Sequence, residues 1–436
     1  MTIIVSYEII KPSSPTSSHL KTYNLSLLDQ ISMDEFLPMV MFYPNTTQIS
    51  RDIMTNDLKN SLSQTLTKYF PFAGRLAKTA PAYIDCNDAG AEFFEASIDN
   101  TLLDFLQKSQ HEDFDQLFPY ERVWYESNNK SHDQSSDHMI PLAVQVNHFK
   151  CGGVAVAASL SHKIADGTSL IHFLNDWGQT TRFCLKGNIN NNTETPIEPE
   201  FFSYPNVNLN FNGFSLDGPK DCVTRSFVFP NSKINELKKK VMDMAAESGQ
   251  PITNLTRVEV LNWLLYKSAV VAANSGFFKP AAVGHVINIR DKMVEQVPKR
   301  RIGNLYMIMK ILANNENEMK PEVFINELQK QKMKFRALKN IQEAFGLVDI
   351  SSWEIVRKDQ EFIDNAYICT SLCRYPTYEI DFGWGKPLKT TFGGNLRKNT
   401  FLLLDAPDGD GIEALVCLGK QDMNILQNDP HLLAFC

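Results

Sequence analysis

Three histidines in this 436-residue chain stand four positions before an aspartate: His111 with Asp115, His162 with Asp166, and His172 with Asp176. An imidazole takes up and returns a proton near neutral pH, which suits it to general acid–base work. A carboxylate at this spacing could orient the ring or brace the backbone beside it. Nine histidines are present, and about one residue in twenty is aspartate in ordinary proteins, so such pairs also arise by accident. The elements around each pair have to separate chemistry from coincidence.

His172 and Asp176 fall where Leu170, Phe173, Leu174 and Trp177 form one apolar helical face, and they occupy the other, which predicts a solvated pair. His111 and Asp115 lie in HEDFDQ, an acidic stretch expected at the surface. His162 differs. Two β-compatible runs, residues 142–149 and 154–160, are joined by Cys151-Gly152-Gly153, a hairpin signal. The turn SHKIADG follows at once and an amphipathic helix begins after it. His162 thus stands at a strand end, where α/β scaffolds project functional side chains, and Gly167 eases the bend.

A second stretch, DFGWG at Asp381–Gly385, arises by chance in about one chain of this length in 10⁴. Asp381-Phe382-Gly383 matches the magnesium motif of protein kinases, but no Gly-rich loop, strand lysine or H-R-D loop precedes it. Gly385-Lys386 has no glycine five residues before it and is followed by Pro387, so it is no phosphate loop. Neither G-x-S-x-G nor G-x-G-x-x-G occurs.

The chain is 43% hydrophobic and 21% charged, ordinary for a globular protein, and its length predicts two domains. A net charge of -7 without a basic block argues against nucleic acid or an anionic membrane as partner, while leaving room for a local basic pocket. The N-terminus lacks the pattern of a secretory signal and no apolar run approaches the length of a bilayer span, so a cytoplasmic protein is expected. Eight scattered cysteines without C-x-x-C predict free, buried thiols and no metal site.

Periodicity predicts a strand at 36–44, a helix carrying Leu58, Leu62, Leu66 and Tyr69, and two short strands within 82–95. Residues 127–138 are expected to be a surface loop. Further on come helices at 233–246, 256–273 and 321–339, and strands at 223–229, 282–289, 306–312, 378–382, 400–404 and 412–418. Residues 187–218, rich in Asn, Pro and Thr, form the expected crossover linker between a domain at 1–186 and a domain at 219–436 carrying DFGWG. Strands and helices mixed in both halves predict an α/β fold.

HKIADG and DFGWG, in that order, together resemble the two signatures of the BAHD acyltransferases, plant enzymes that move acyl groups from coenzyme A thioesters to alcohols or amines. Further stretches resemble the family: KPSSPT, LSLLDQ, YFPFAGRL, DCNDAG, TRVEVL, INIR, IGN and DGDGIEA. The N-terminal region and LCRYPTYEIDFGWGKP are most similar to its alkaloid-acylating branch, with one departure: Leu372 follows Ser371 where that branch carries tryptophan.

The resemblance implies two similarly sized chloramphenicol-acetyltransferase-like domains with a channel between them. It implies acetyl transfer from acetyl-CoA, a co-substrate rather than a bound cofactor, to a hydroxyl of a monoterpenoid indole alkaloid, by a monomer. His162 would be the general base, with direct attack of the alcohol on the thioester and no acyl-enzyme. Asp166 would pair with Arg290 and brace the turn at Gly167. Asp381, Phe382, Gly383, Trp384 and Gly385 would shape the CoA end of the site, with a direct catalytic part for Asp381 the lesser alternative. Thr256 and Arg257, at a helix start, are candidates for the CoA phosphates, against plain capping. Alternatives are malonyl-CoA as donor, a simpler alcohol or terpenoid as acceptor, and a catalytically silent binding protein.

Overall fold

The computed structural model describes residues 2–46, 48–77, 82–119, 138–185, 199–202, 221–274, 278–347, 365–394 and 396–436. The chain divides into two compact units. The first comprises Met1–Gly218 together with Arg300–Asn304 and Tyr375–Gly394, and the second comprises Pro219–Lys299, Leu305–Arg374 and Asn395–Cys436.

The first unit is built on a six-stranded sheet in the order Thr2–Ile10, Ala91–Ile98, Leu142–Phe149, Val154–Ser161, Phe36–Tyr43 and Lys389–Phe392. All neighbours are antiparallel except Ala91–Ile98 with Leu142–Phe149. The three strands Phe36–Tyr43, Leu142–Phe149 and Val154–Ser161 are buried at every position, so both faces of the sheet's middle are covered. Such strands read as unbroken apolar runs. Helices Arg51–Lys68 and Gly167–Leu185 pack together, with the Trp177 indole N–H donating to Ser61 Oγ at 3.1 Å and Thr181 Oγ1 donating to Ser61 Oγ at 2.8 Å.

The second unit holds another six-stranded sheet in the order Cys222–Phe229, Ile412–Gly419, Thr400–Asp405, Ala366–Ser371, Ala281–Asn288 and Tyr306–Ala313. Helices Asn231–Glu247, Arg257–Ala273 and Pro321–Ala337 belong to this unit. Among the described residues no helix is long and apolar enough to cross a membrane. All eight cysteines are free thiols; Cys86, Cys222, Cys369 and Cys417 are buried, whereas Cys151 and Cys436 are exposed.

Two expectations are corrected here. DFGWG does not belong with the C-terminal unit: the excursion Tyr375–Gly394 joins the first, because Lys389–Phe392 pairs with Phe36–Tyr43 and completes that sheet. The predicted strand at 378–382 is a short 3₁₀ turn, Thr377–Glu379, running into a loop. There Asp381 Oδ1 accepts from the amides of Gly383 (2.7 Å) and Gly385 (3.0 Å), and φ of +98° and +100° at these glycines curls the chain instead of extending it. Most of the expected crossover at 187–218, and the surface loop at 127–138 apart from the backbone of His138, lie outside the described residues.

The loop is seated on helix Gly167–Leu185 at Gly178, where a Cβ would stand 2.8 Å from the Asp381 carbonyl oxygen. Gly178→Ala should therefore lower the melting temperature although alanine favours helices by about 1 kcal/mol, since overpacking costs about 1–3 kcal/mol. Gly346→Ala, at the end of helix Ile341–Gly346 where a Cβ meets nothing within 4 Å, should not lower it.

Each unit also holds a buried histidine kept neutral. Burial pushes His148 down to about 4, with Nε2 2.9 Å from Thr55 Oγ1, and burial pushes His285 down to about 3. The unfolded chain binds these protons near pH ~6.5 and the folded chain does not, so stability is full above that pH and is lost on acidification toward 4. Melting temperature should fall steadily from pH 6.5 to 4, and less steeply in His148→Gln.

Candidate active site

His162 follows strand Val154–Ser161 directly, and its amide donates to the Glu35 carbonyl at 2.8 Å. The imidazole is half-buried. Its Nδ1 lies 2.9 Å from Oδ1 of Asn304, a fully buried residue. The Asn304 carboxamide nitrogen donates to the His162 carbonyl at 2.7 Å and to Asp29 Oδ1 at 2.8 Å, and the Asn304 amide donates to the same Oδ1 at 2.8 Å. One asparagine thus brackets the ring and the main chain of His162.

Asp29 opens the short helix Leu27–Ile31 as half of a capping box with Ser26. Its Oδ2 accepts from the Ser26 amide at 2.9 Å and from Ser26 Oγ at 2.7 Å. Burial pushes the Asp29 carboxyl above its ordinary range, and the hydrogen bonds from Ser26 and Asn304 pull it back. Lys163 ties the turn to the other end of this helix: its buried Nζ donates to the carbonyls of Gln30 (3.1 Å) and Ser32 (2.5 Å). Carbonyls at a helix C-terminus favour a cation. Burial pushes the ammonium down from its usual range, against the carboxylates of Asp34, Asp29 and Glu35.

Asp166 is turned to the helix. Its Oδ1 accepts from the Ser169 amide at 2.9 Å and from Ser169 Oγ at 2.8 Å, an N-cap of helix Gly167–Leu185. Ser169 Oγ in turn accepts from the Gly303 amide at 3.2 Å. The turn is thereby connected to the segment that ends in Asn304. Arg290 belongs to the second unit, where it is fully buried and its guanidinium reaches Asn288 Oδ1 at 3.3 Å.

The structure does not bring Asp381 to His162. Arg182 donates to the Asp381 carbonyl, and Gly178 lies against the same oxygen. Gly178 and Arg182 stand roughly 16 and 22 Å along the helix axis from Gly167, at 1.5 Å per residue. Phe382 is buried, edge-on to Trp177 at 4.9 Å, and Trp384 meets Tyr43 edge-on at 5.7 Å. Tyr43 OH donates to the Ile380 carbonyl at 2.9 Å.

Thr256 is the N-cap of helix Arg257–Ala273 in a capping box: its hydroxyl accepts from the Glu259 amide at 3.2 Å, and its own amide donates to Glu259 Oε2 at 2.8 Å. Arg257 donates to Asn231 Oδ1 at 2.8 Å. Leu372 is buried in the second unit. The two other histidine pairs are not solvated as expected. His111 is buried with its ring 5.6 Å from Phe114, because the acidic segment folds as a 3₁₀ helix that turns these residues inward. Asp176 accepts from Tyr69 OH at 2.6 Å and from Arg300.

The family model described as the Transferase family matches residues 1–433. Akuammiline synthase 1 of Alstonia scholaris is 35% identical over 438 residues, covering 99% of this chain and 97% of that protein. Deacetylvindoline O-acetyltransferase of Catharanthus roseus is 34% identical over 451 residues, covering 99% and 97%. The crystal structure of vinorine synthase superposes with a TM-score of 0.80 at 29% identity, covering 100% of this chain and 98% of that one. With its α/β architecture similar to chloramphenicol acetyltransferase and its match along nearly its whole length, the chain belongs to the BAHD transferase family and is an acyl-CoA acyltransferase.

Proposed function

We propose that this enzyme transfers an acetyl group from acetyl-CoA to a hydroxyl of a plant alkaloid of the monoterpenoid indole type. The observation that carries the catalytic part is the half-buried His162 imidazole at the strand end, held through Nδ1 by Asn304. The similarity to deacetylvindoline O-acetyltransferase supports the acetyl donor, and that to akuammiline synthase 1 and deacetylvindoline O-acetyltransferase supports the alkaloid class.

In the proposed reaction His162 removes the proton of the acceptor hydroxyl as its oxygen bonds to the thioester carbonyl carbon. The C–S bond then breaks, and the imidazolium returns the proton to the departing CoA thiolate. A neutral imidazole suits both transfers near neutral pH. Asp166 serves as helix cap and turn brace. Asp381 closes its own loop on two backbone amides, which supports an architectural part for DFGWG. The capping box at Thr256 already engages an amide that a phosphate would use and sets the Glu259 carboxylate beside it, which supports capping over CoA binding.

Incubation with acetyl-CoA and malonyl-CoA against hydroxylated alkaloids and simple alcohols, read by product mass, tests the donor and acceptor. The proposal expects acetylated alkaloid; products from simple alcohols alone would displace it. His162→Ala should lower turnover by about 10²–10⁴-fold while CoA still binds, and near-wild-type turnover would refute the base. Asp166→Ala should lose about 0.5–2 kcal/mol of stability along with activity, and Asp166→Asn, which keeps the cap acceptor, should retain more of both.

A further inference from the structure

We propose that Asn304, oriented by the buried Asp29 carboxylate, is a positioning residue that sets the neutral tautomer of His162 with its proton on Nδ1. The proposal rests on His162 acting as the base, and it names what prepares that base.

An asparagine carboxamide can present either its oxygen or its NH₂ group to a neighbour, so the partners on its other side decide which. Asp29 receives four donors: the Ser26 amide and hydroxyl on Oδ2, and the Asn304 amide and carboxamide on Oδ1. Oδ1 already receives the backbone N–H of Asn304 beside the carboxamide, so it faces that side chain as an acceptor. The Asn304 group facing Asp29 Oδ1 and the His162 carbonyl faces two acceptors, and must be NH₂. The opposite end, 2.9 Å from His162 Nδ1, is then the carboxamide oxygen.

An oxygen at that distance requires Nδ1 to carry the hydrogen. A neutral imidazole has one N–H, so Nε2 carries the lone pair that receives the acceptor's proton. Rotating the carboxamide by half a turn would set its oxygen against Asp29 and the His162 carbonyl, two buried acceptors without a donor between them. Asp29 and Asn304 are both fully buried, so water does not relieve that arrangement. The partners lie 275 and 142 residues apart in sequence, and the Ser26–Asp29 capping box aims the carboxylate from a rigid helix start.

Histidine-selective ¹⁵N labelling of the full chain, read by long-range ¹H–¹⁵N correlation at a pH where the ring is neutral, tests this without substrate. His162 is assigned by the signal missing in His162→Gln. The wild type should show the proton on Nδ1. Asn304→Ala and Asp29→Ala should shift His162 toward a mixture of both tautomers. In acetyl-CoA turnover they should lower kcat by about 10²-fold with a smaller change in KM for acetyl-CoA. A proton on Nε2 in the folded wild type overturns the proposal, as does an unchanged tautomer in a folded Asn304→Ala protein. Full turnover in His162→Ala would remove the catalytic reading yet leave the wild-type tautomer result standing, so the two failures are distinguishable.

Discussion

A single buried carboxylate, Asp29, is the charge around which the first unit's site is arranged. Burying a carboxylate is costly, and Asp29 is sustained by four hydrogen bonds, with the Lys163 ammonium close enough to interact with it. Two of those donors come from Asn304, which reaches the first unit only because Arg300–Asn304 leaves the second half of the chain. Strand Arg301–Ile302 pairs with Glu200–Phe201, and the Gly303 amide donates to Ser169. The geometry of His162 therefore depends on long-range folding rather than on its seven-residue turn alone.

Helix Gly167–Leu185 carries the second constraint. Its N-terminus is capped by Asp166, and its later turns receive the DFGWG loop through Gly178, Trp177 and Arg182. The two sequence signatures are coupled through this one rigid element, and the loop stands well away from the imidazole. Asp381 spends its carboxylate on the amides of Gly383 and Gly385 and its carbonyl on Arg182, interactions that build the loop.

Local pattern made much of the fold legible. The hairpin of Leu142–Phe149 and Val154–Ser161, the helix with Leu170, Phe173, Leu174 and Trp177, and the cap at Thr256 all follow from periodicity and turn chemistry. His162 was singled out by its strand-end position and by the family signature. Asn304 and Asp29 lay in stretches noticed only for resemblance, IGN and LSLLDQ, because their roles are hydrogen bonds between residues far apart in sequence. The Ser-x-x-Asp spacing at Ser26–Asp29 marks a helix start, but nothing local aims it at Asn304. The placement of DFGWG was misread for the same reason: strand Lys389–Phe392 pairs with Phe36–Tyr43 across most of the chain's length. Asp176 looked solvated because Tyr69 and Arg300 are sequence-distant.

In the proposed reaction, with His162 as base, no protein nucleophile is required: the acceptor oxygen would attack the thioester directly, and the enzyme would never carry the acyl group. The intact mass of the protein after mixing with acetyl-CoA in the absence of acceptor measures this point directly. The account predicts a mass identical to that of the untreated protein. Rapid accumulation of a species heavier by one acetyl group, discharged when acceptor is added, would contradict it.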